Sequence, residues 1–462
     1  RRRRLYKKTP HGLLAGRSSS IMGRDDDDAD AREKLLGNIP TVQAEAAPPP
    51  PQRLKRREAL DCARYVASCQ IVAFHWYVCA GGMMPAVMAL PAHGHHRAKR
   101  NWQIVYNIFA WGTTWTQFFF VMSGFVLCLA RLQSRNPTET KPPLRFALER
   151  LVGCYPAYLF AVCLAMASST NSFATLPTSA WVNLLRIVLL VQAWWNVELS
   201  GWVALRPLWF MAALMFYWLL FGPLYQALRR LPVPALWPCF LACWLLSFAP
   251  WVDQLANGYD EYRDVFSRST DPDHDSLNLK QMPLSHHAFW RYHPFAYLHV
   301  FVGGMVLARI LYEAEGIQSS SRPLWFVVAS NHGAKLGYGI YALIVGRFVY
   351  FGRTPTTYQG ETGAFLFWHN GGLLPIYALM LFGLATEKDV WISRLFKTSA
   401  GKFLGRISYC QYLTQLMVIS TVPVAYYSLD KTVVKHTVVD GETVAYNKTE
   451  HYHKWQWQLV LP

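Results

Sequence analysis

Arg64 and His75 interrupt an otherwise apolar run, "RYVASCQIVAFH" at residues 64–75. Ionisable groups inside a bilayer are costly, and a spanning helix that carries them usually has a use for them. The two lie 11 residues apart, which at about 100° per residue comes within about 20° of three full turns. Both side chains therefore leave one face of the helix, separated along its axis by about 16 Å. Arg64 sits near one end, where its stem can snorkel to the interface, and His75 is carried toward the interior. An imidazole placed there can accept a proton. The same spacing also suits structural duty, with Arg64 as an anchor and His75 bonded to a neighbouring helix.

The elements that must position these residues are membrane spans. Apolar residues gather into blocks of about 17–25, the length a helix needs to cross hydrocarbon. The 462-residue chain is 52% hydrophobic and 15% aromatic, with 19 Trp and 24 Tyr, as suits a protein with many interfacial belts. Its mean hydropathy of +0.11 is modest because polar tails and a long polar loop dilute it. The net charge of +17 comes with no zinc, helix-turn-helix or RNA-binding pattern, and much of the excess flanks apolar blocks. The expected partner is thus the lipid bilayer, not nucleic acid. All nine cysteines fall within or beside apolar blocks, which argues against a secreted-type disulfide framework. Cys239 and Cys243 read as buried thiols before metal ligands.

Spans are expected at 62–81, 113–131, 150–168, 207–228, 236–252, 293–312, 336–352, 369–386 and 404–427. The fold class is an all-α polytopic membrane protein, a bundle of about nine to eleven transmembrane helices. A further apolar segment, 183–195, contains Arg186 and by length is as readily re-entrant as crossing. Residues 1–57, with a DDDD run at 25–28 and a PPPP run at 48–51, are expected to be a disordered cytosolic tail. Residues 58–427 are then the membrane domain and 428–462 a polar C-terminal tail. The chain opens on RRRR, not Met, which is expected of a fragment or processed form. With nine crossings, Arg229-Arg230 and the basic connection 388–406 lie in the cytosol. The acidic loop 253–292 and the sequon Asn447-Lys448-Thr449 face the other side, whereas Arg97-Ala98-Lys99-Arg100 falls on the wrong side of that scheme. Sequon and tail lean toward a eukaryotic endomembrane or the plasma membrane.

Five blocks in order carry a resemblance. "LDCARYVASCQIVAFHW" (60–76) is similar to the first membrane block of the acyltransferase 3 family, in which an Arg and a His separated by ten residues form a signature. "FFVMSGFVL" (119–127) resembles that family's second-span pattern FFxxSGFxx, and "RFALERLVGCYPAYL" (145–159) its Arg-rich block leading to YPxY. "HPFAYLHVFVGGMVLA" (293–308) resembles its proline-led span, and "LGRISYCQYLTQ" (404–415) its last block, LGxxSYxxYLxH.

The resemblance implies transfer of an acyl group, often acetyl, from a cytosolic coenzyme A thioester to a hydroxyl of a carbohydrate, lipid or other acceptor. No tightly bound cofactor and no metal are implied. His75 would be the catalytic residue, either as general base or as a covalent acyl carrier, and Arg64 would orient the site or bind donor phosphate. Arg145 and Arg150 are candidates for the donor's phosphates, which Arg recognises by bidentate hydrogen bonds; the positive-inside rule also places arginines there. Ser123, beside Gly124, serves close helix packing or substrate contact, and Tyr155-Pro156 marks the third span's start. Ser408 and Tyr409 line a cavity or bond between helices.

The chain departs from the family pattern at several positions. Leu214 stands near where a Glu is usual, Tyr297 takes an Arg position, Gln415 replaces the terminal His, Gly153 replaces a second Arg, and Glu149 interrupts the basic cluster. These losses keep open a runner-up from another class, a non-catalytic transporter or signalling protein on the same membrane fold. A proton-coupled transporter lacks the inverted repeat such folds show. "HGHHRAK" (93–99) is too crowded for a closed metal site, and "DPDHD" (271–275) lacks the Gly and Glu of a calcium loop. His369-Asn370 and Asn331-His332 read as polar pairs at span boundaries.

Overall fold

The computed structural model describes residues 57–75, 104–105, 107–167, 178–195, 203–257, 286–351, 366–421, 424–439 and 442–457, the last two stretches by backbone alone. The expected N-terminal tail through residue 56, the histidine-rich 93–99 and the acidic 271–275 lie outside them. The helices in chain order are α1 (Glu58–Phe74), α2 (Trp115–Leu132), α3 (Pro143–Ala167), α4 (Thr178–Val188), α5 (Trp209–Arg230), α6 (Leu236–Leu245) and α7 (Ala249–Asn257). After them come α8 (His286–Tyr292), α9 (Leu298–Gly316), α10 (Leu324–Tyr350), α11 (Leu374–Thr386), α12 (Val390–Phe396) and α13 (Ser399–Thr421). Beyond this all-α membrane portion, β1 (Val424–Val439) and β2 (Glu442–Trp457) pair antiparallel in the C-terminal tail. The sequon at Asn447 falls on β2.

Five helical stretches among the described residues are long and apolar enough to cross a bilayer: Asn107–Leu132, Pro143–Ala167, Trp209–Arg230, Val233–Ala256 and Pro294–Gly316. The other expected spans fall on α1, α10, α11 and α13. These are shorter within the described residues or carry charges such as Arg64, Lys335, Arg347, Lys402 and Arg406. The third span starts earlier than residue 150, at Pro143, where the missing N–H costs no bond. Pro156 is consequently not in a first turn but inside α3. There it releases the Val152 carbonyl, on a face where Val152 is exposed.

Segment 183–195 does not cross as one helix. The 11 residues of α4 make a rod of about 16 Å, half of the roughly 30 Å hydrocarbon core. Leu190 then adopts the left-handed conformation (φ 58°) and ends the helix. Tyr155 and Tyr158, midway along α3, donate to the Val188 and Ile187 carbonyls at 2.8 and 2.7 Å, at a helix end that leaves carbonyls unpaired.

Side-chain contacts sort the helix ends into two faces. At the near face, where α1 begins, Arg57 bonds Glu315 at 3.0 Å and the Ala385 carbonyl, and Lys402 pairs with Glu58 at 2.8 Å. At the far face, Trp244 donates to the Gly372 carbonyl at 3.1 Å and Gln117 to that of Trp368 at 2.5 Å. Asn370 donates to the Trp290 carbonyl at 2.6 Å.

Two close approaches fix the frame. A Cβ on Gly124 would stand 2.1 Å from the Phe301 carbonyl oxygen, and one on Gly304 would stand 2.0 Å from that of Val121. Helices α2 and α9 are thus in backbone contact, and Phe118, Phe120 and Phe125 beside them are fully buried. The second approach joins the first and last blocks of the sequence. A Cβ on Gly405 would come within 2.6 Å of the Asp61 backbone. Further along, Ser68 Oγ donates to the Ser408 carbonyl at 3.4 Å, and Gln411 Nε2 reaches Cys69 Sγ at 3.4 Å. Helices α1 and α13 therefore run parallel, which puts Glu58 and Thr421 at opposite faces.

Candidate active site

His75 follows the last residue of α1, and Gln415 lies four turns into α13. Because the helices run parallel from the Gly405–Asp61 contact, these residues meet: His75 Nδ1 lies 3.1 Å from Gln415 Oε1. An amide oxygen only accepts, so Nδ1 is the donor in this contact, and the Ile71 carbonyl, one turn back on α1, also bonds the ring. Gln415 is 3% exposed, and its Nε2 is buried without a hydrogen-bond partner among the described residues. One turn earlier on α13, Tyr412 packs against Phe119 and Phe210 and donates to the Pro207 carbonyl at 2.5 Å. The Arg291 guanidinium, from α8, also acts on the His75 ring electrostatically. Among the described residues, none of the groups acting on that ring is a carboxylate.

Tyr297 connects to this site through Arg291. Its hydroxyl donates to the Arg291 carbonyl at 2.8 Å and lies 2.5 Å from His369 Nδ1, which must then be the donor in that bond. His299 Nε2 donates to the Asn370 carbonyl at 2.7 Å. His369 and Asn370, expected as boundary residues, are thus buried members of a hydrogen-bonded group that anchors α8 behind the candidate site.

The other candidate residues are not gathered at His75. Arg64 pairs with Asp61 on its own helix, and its side chain is 43% exposed. Arg145 bonds Glu149 at 3.3 Å, and Lys141 shares that carboxylate. Arg150 lies exposed over the Phe146 ring at 5.3 Å. Helical rise puts Arg150 about 10 Å from the near face and His75 about 26 Å from it. The Tyr155 hydroxyl is engaged by α4. Ser408 Oγ donates to the Gly405 carbonyl of its own helix at 2.9 Å, and Tyr409 ties α13 to α3 by donating to the Cys154 carbonyl at 3.1 Å. Ser123 is half-buried beside the Gly124 contact. Leu214 is buried on α5.

Arg291, Asp61 and Tyr158 escaped the sequence reading, which met Gln415 only as a departure. A signal was present: Asp61, Ser68 and His75 recur every seven residues on α1, and Ser408, Gln411 and Gln415 recur at helical spacing on α13. Nothing local marks Arg291, which arrives from a different part of the chain. Among the described residues no group of three or more metal-ligating side chains occurs, and all eight described cysteines are free.

Fold and site together define a class: a multi-pass helical membrane protein with a half-buried imidazole held between α1 and α13. The chain belongs to the acyltransferase 3 family, since the family model described as an acyltransferase domain matches residues 57–430. No curated protein and no solved structure matches it.

Proposed function

We propose that this integral membrane protein transfers an acyl group, most simply acetyl, from acyl-coenzyme A to a hydroxyl of a carbohydrate or lipid acceptor, with His75 as general base. The observation that carries the proposal is the 3.1 Å contact of His75 Nδ1 with Gln415 Oε1, in which Nδ1 is the donor; the proposal assigns the base to the other ring nitrogen. In the reacting step Nε2 takes the hydroxyl proton while the oxygen attacks the thioester carbonyl. The C–S bond then breaks, and the imidazolium returns the proton to the leaving thiolate. Direct attack by the same lone pair would make His75 an acyl carrier and produce a burst of free coenzyme A before steady state. Arg150, assisted by Arg145 and Arg64, binds the donor's phosphates on the near, cytosolic side.

A non-catalytic role on the same fold has one specific observation in its favour: no carboxylate acts on the His75 ring among the described residues, and Leu214 is buried where the family pattern has Glu. Turnover of acetyl-coenzyme A by the purified full chain, with a panel of hydroxyl acceptors, separates the readings. The expected result is turnover in the wild type, none in His75→Ala and normal membrane insertion of both. Equal turnover in the two proteins would remove His75 from catalysis. An inactive wild type across the panel would favour the non-catalytic role.

A further inference from the structure

The two ends of the Gln415 amide have different surroundings. Oε1 accepts from His75 Nδ1 at 3.1 Å, whereas Nε2, on the same carbon, is buried with no partner among the described residues, in a residue that is 3% exposed. A buried donor left unpaired costs about 1–3 kcal/mol, a cost that is recovered if a ligand oxygen completes the bond. An N–H donor takes an oxygen acceptor, and the oxygen that a transferring acyl group brings to the His75 ring is its carbonyl. In acyl transfer, negative charge develops on the carbonyl oxygen of the tetrahedral intermediate.

We propose that Gln415 is a catalytic residue that donates from Nε2 to the acyl carbonyl oxygen while Oε1 holds His75 in its reactive tautomer. The assignment rests on the acyl-transfer reading above and adds a residue that touches the substrate. It also gives the missing carboxylate a consequence. A carboxylate behind a catalytic histidine stabilises the imidazolium, whereas an amide in that place stabilises the imidazolium less and can stabilise the oxyanion directly. No group other than acyl donor and acceptor enters the step: the hydroxyl proton goes to His75 Nε2, the carbonyl electrons move to the oxygen facing Gln415, and they return as the thiolate leaves.

Gln415→Glu keeps the shape and the acceptor but, once ionised, lacks the donor. At alkaline pH it should lower kcat by about 10²–10³, the usual effect of removing one oxyanion donor, with little change in KM. Gln415→Leu should lose at least as much. If Gln415 only orients the ring, the carboxylate is the better acceptor, and Gln415→Glu would match or exceed the wild type; that result overturns the assignment. Nitrogen-15 NMR of the histidine-labelled full chain reads the other end of the amide without turnover. The Nδ1–H form at His75 is expected, and an Nε2–H form would reverse the amide and overturn the proposal. A coenzyme A analogue with CH2 in place of sulfur, with and without its carbonyl, reads the donor by binding. The carbonyl should strengthen binding to the wild type and not to ionised Gln415→Glu. Failure of the wild type to turn over acetyl-coenzyme A while this carbonyl difference persists would count against transfer alone. Failure to bind either analogue would remove both readings.

Discussion

His75 with Gln415, and Arg145 with Arg150, are two sets of residues drawn from blocks of comparable standing in the sequence, and the molecule treats them differently. The first set lies deep between two parallel helices, where the Gly405–Asp61 backbone contact fixes the register that lets His75 and Gln415 meet. The second lies on the first turns of α3, exposed, with one guanidinium shared with Glu149 and the other over a phenyl ring. Depth alone does not separate them, since many side chains are deep. What distinguishes the first set is a partner that bonds the ring and offers a second polar atom, unpaired among the described residues. Chemistry needs such orientation, whereas recognition of a mobile phosphate chain needs accessible charge.

The largest expected contrast is between His75→Ala and Arg150→Gln. Loss of a general base costs about 10²–10⁴ in rate, while loss of one exposed phosphate contact should raise KM and spare kcat. Steady-state kinetics on the two purified variants reads both, and equal losses of kcat would erase the distinction between site and entrance. Gly405→Ala comes next. The added Cβ would press on the Asp61 backbone at 2.6 Å, and overpacking of this kind costs about 1–3 kcal/mol. Because the same contact sets the register of His75 on Gln415, kcat should fall with the thermal midpoint. A variant that loses stability at full kcat would show that register does not depend on that contact.

Tyr155→Phe probes a third place, the tie between α3 and the short helix α4. The lost bond to the Val188 carbonyl should cost about 0.5–1.5 kcal/mol of stability, measured by thermal unfolding in detergent, and leave KM and kcat unchanged. A change in KM without a change in stability would instead assign Tyr155 to substrate binding.

How much of this was legible differs between elements for physical reasons. Apolar block length gave the helical membrane architecture, because hydrocarbon thickness sets that length wherever the chain crosses. The short block 183–195 showed its broken helix only in three dimensions: the helix end at Leu190 uses a left-handed residue that is not Gly, and Tyr155 and Tyr158 hold it from another helix. His75 stood out because an imidazole in an apolar run is conspicuous. Its partner did not, because Gln415 lies 340 residues away and its importance follows from a register between helices that no local pattern encodes. Tyr297 was visible as a replaced Arg, yet its link to the site runs through the Arg291 carbonyl. Such indirect positioning leaves no residue-type signature.

The smallest predicted effects lie within the near-face cluster. Arg145 is 72% exposed on its side chain and already shares Glu149 with Lys141; exposed pairs of this kind are worth about 0–1 kcal/mol. Arg150 stands over Phe146 instead. If the cluster binds donor phosphates, Arg150→Gln should raise KM for acetyl-coenzyme A more than Arg145→Gln does. Glu149→Gln should lower KM, because it frees Arg145 and Lys141 and removes a charge that repels phosphate. All three effects should shrink as ionic strength rises, since exposed charges are screened within about 8 Å at physiological salt. KM values for the three variants at low and high salt provide the measurement. Three unchanged values would assign these residues to membrane orientation alone, and the donor's phosphates would then need another basic surface.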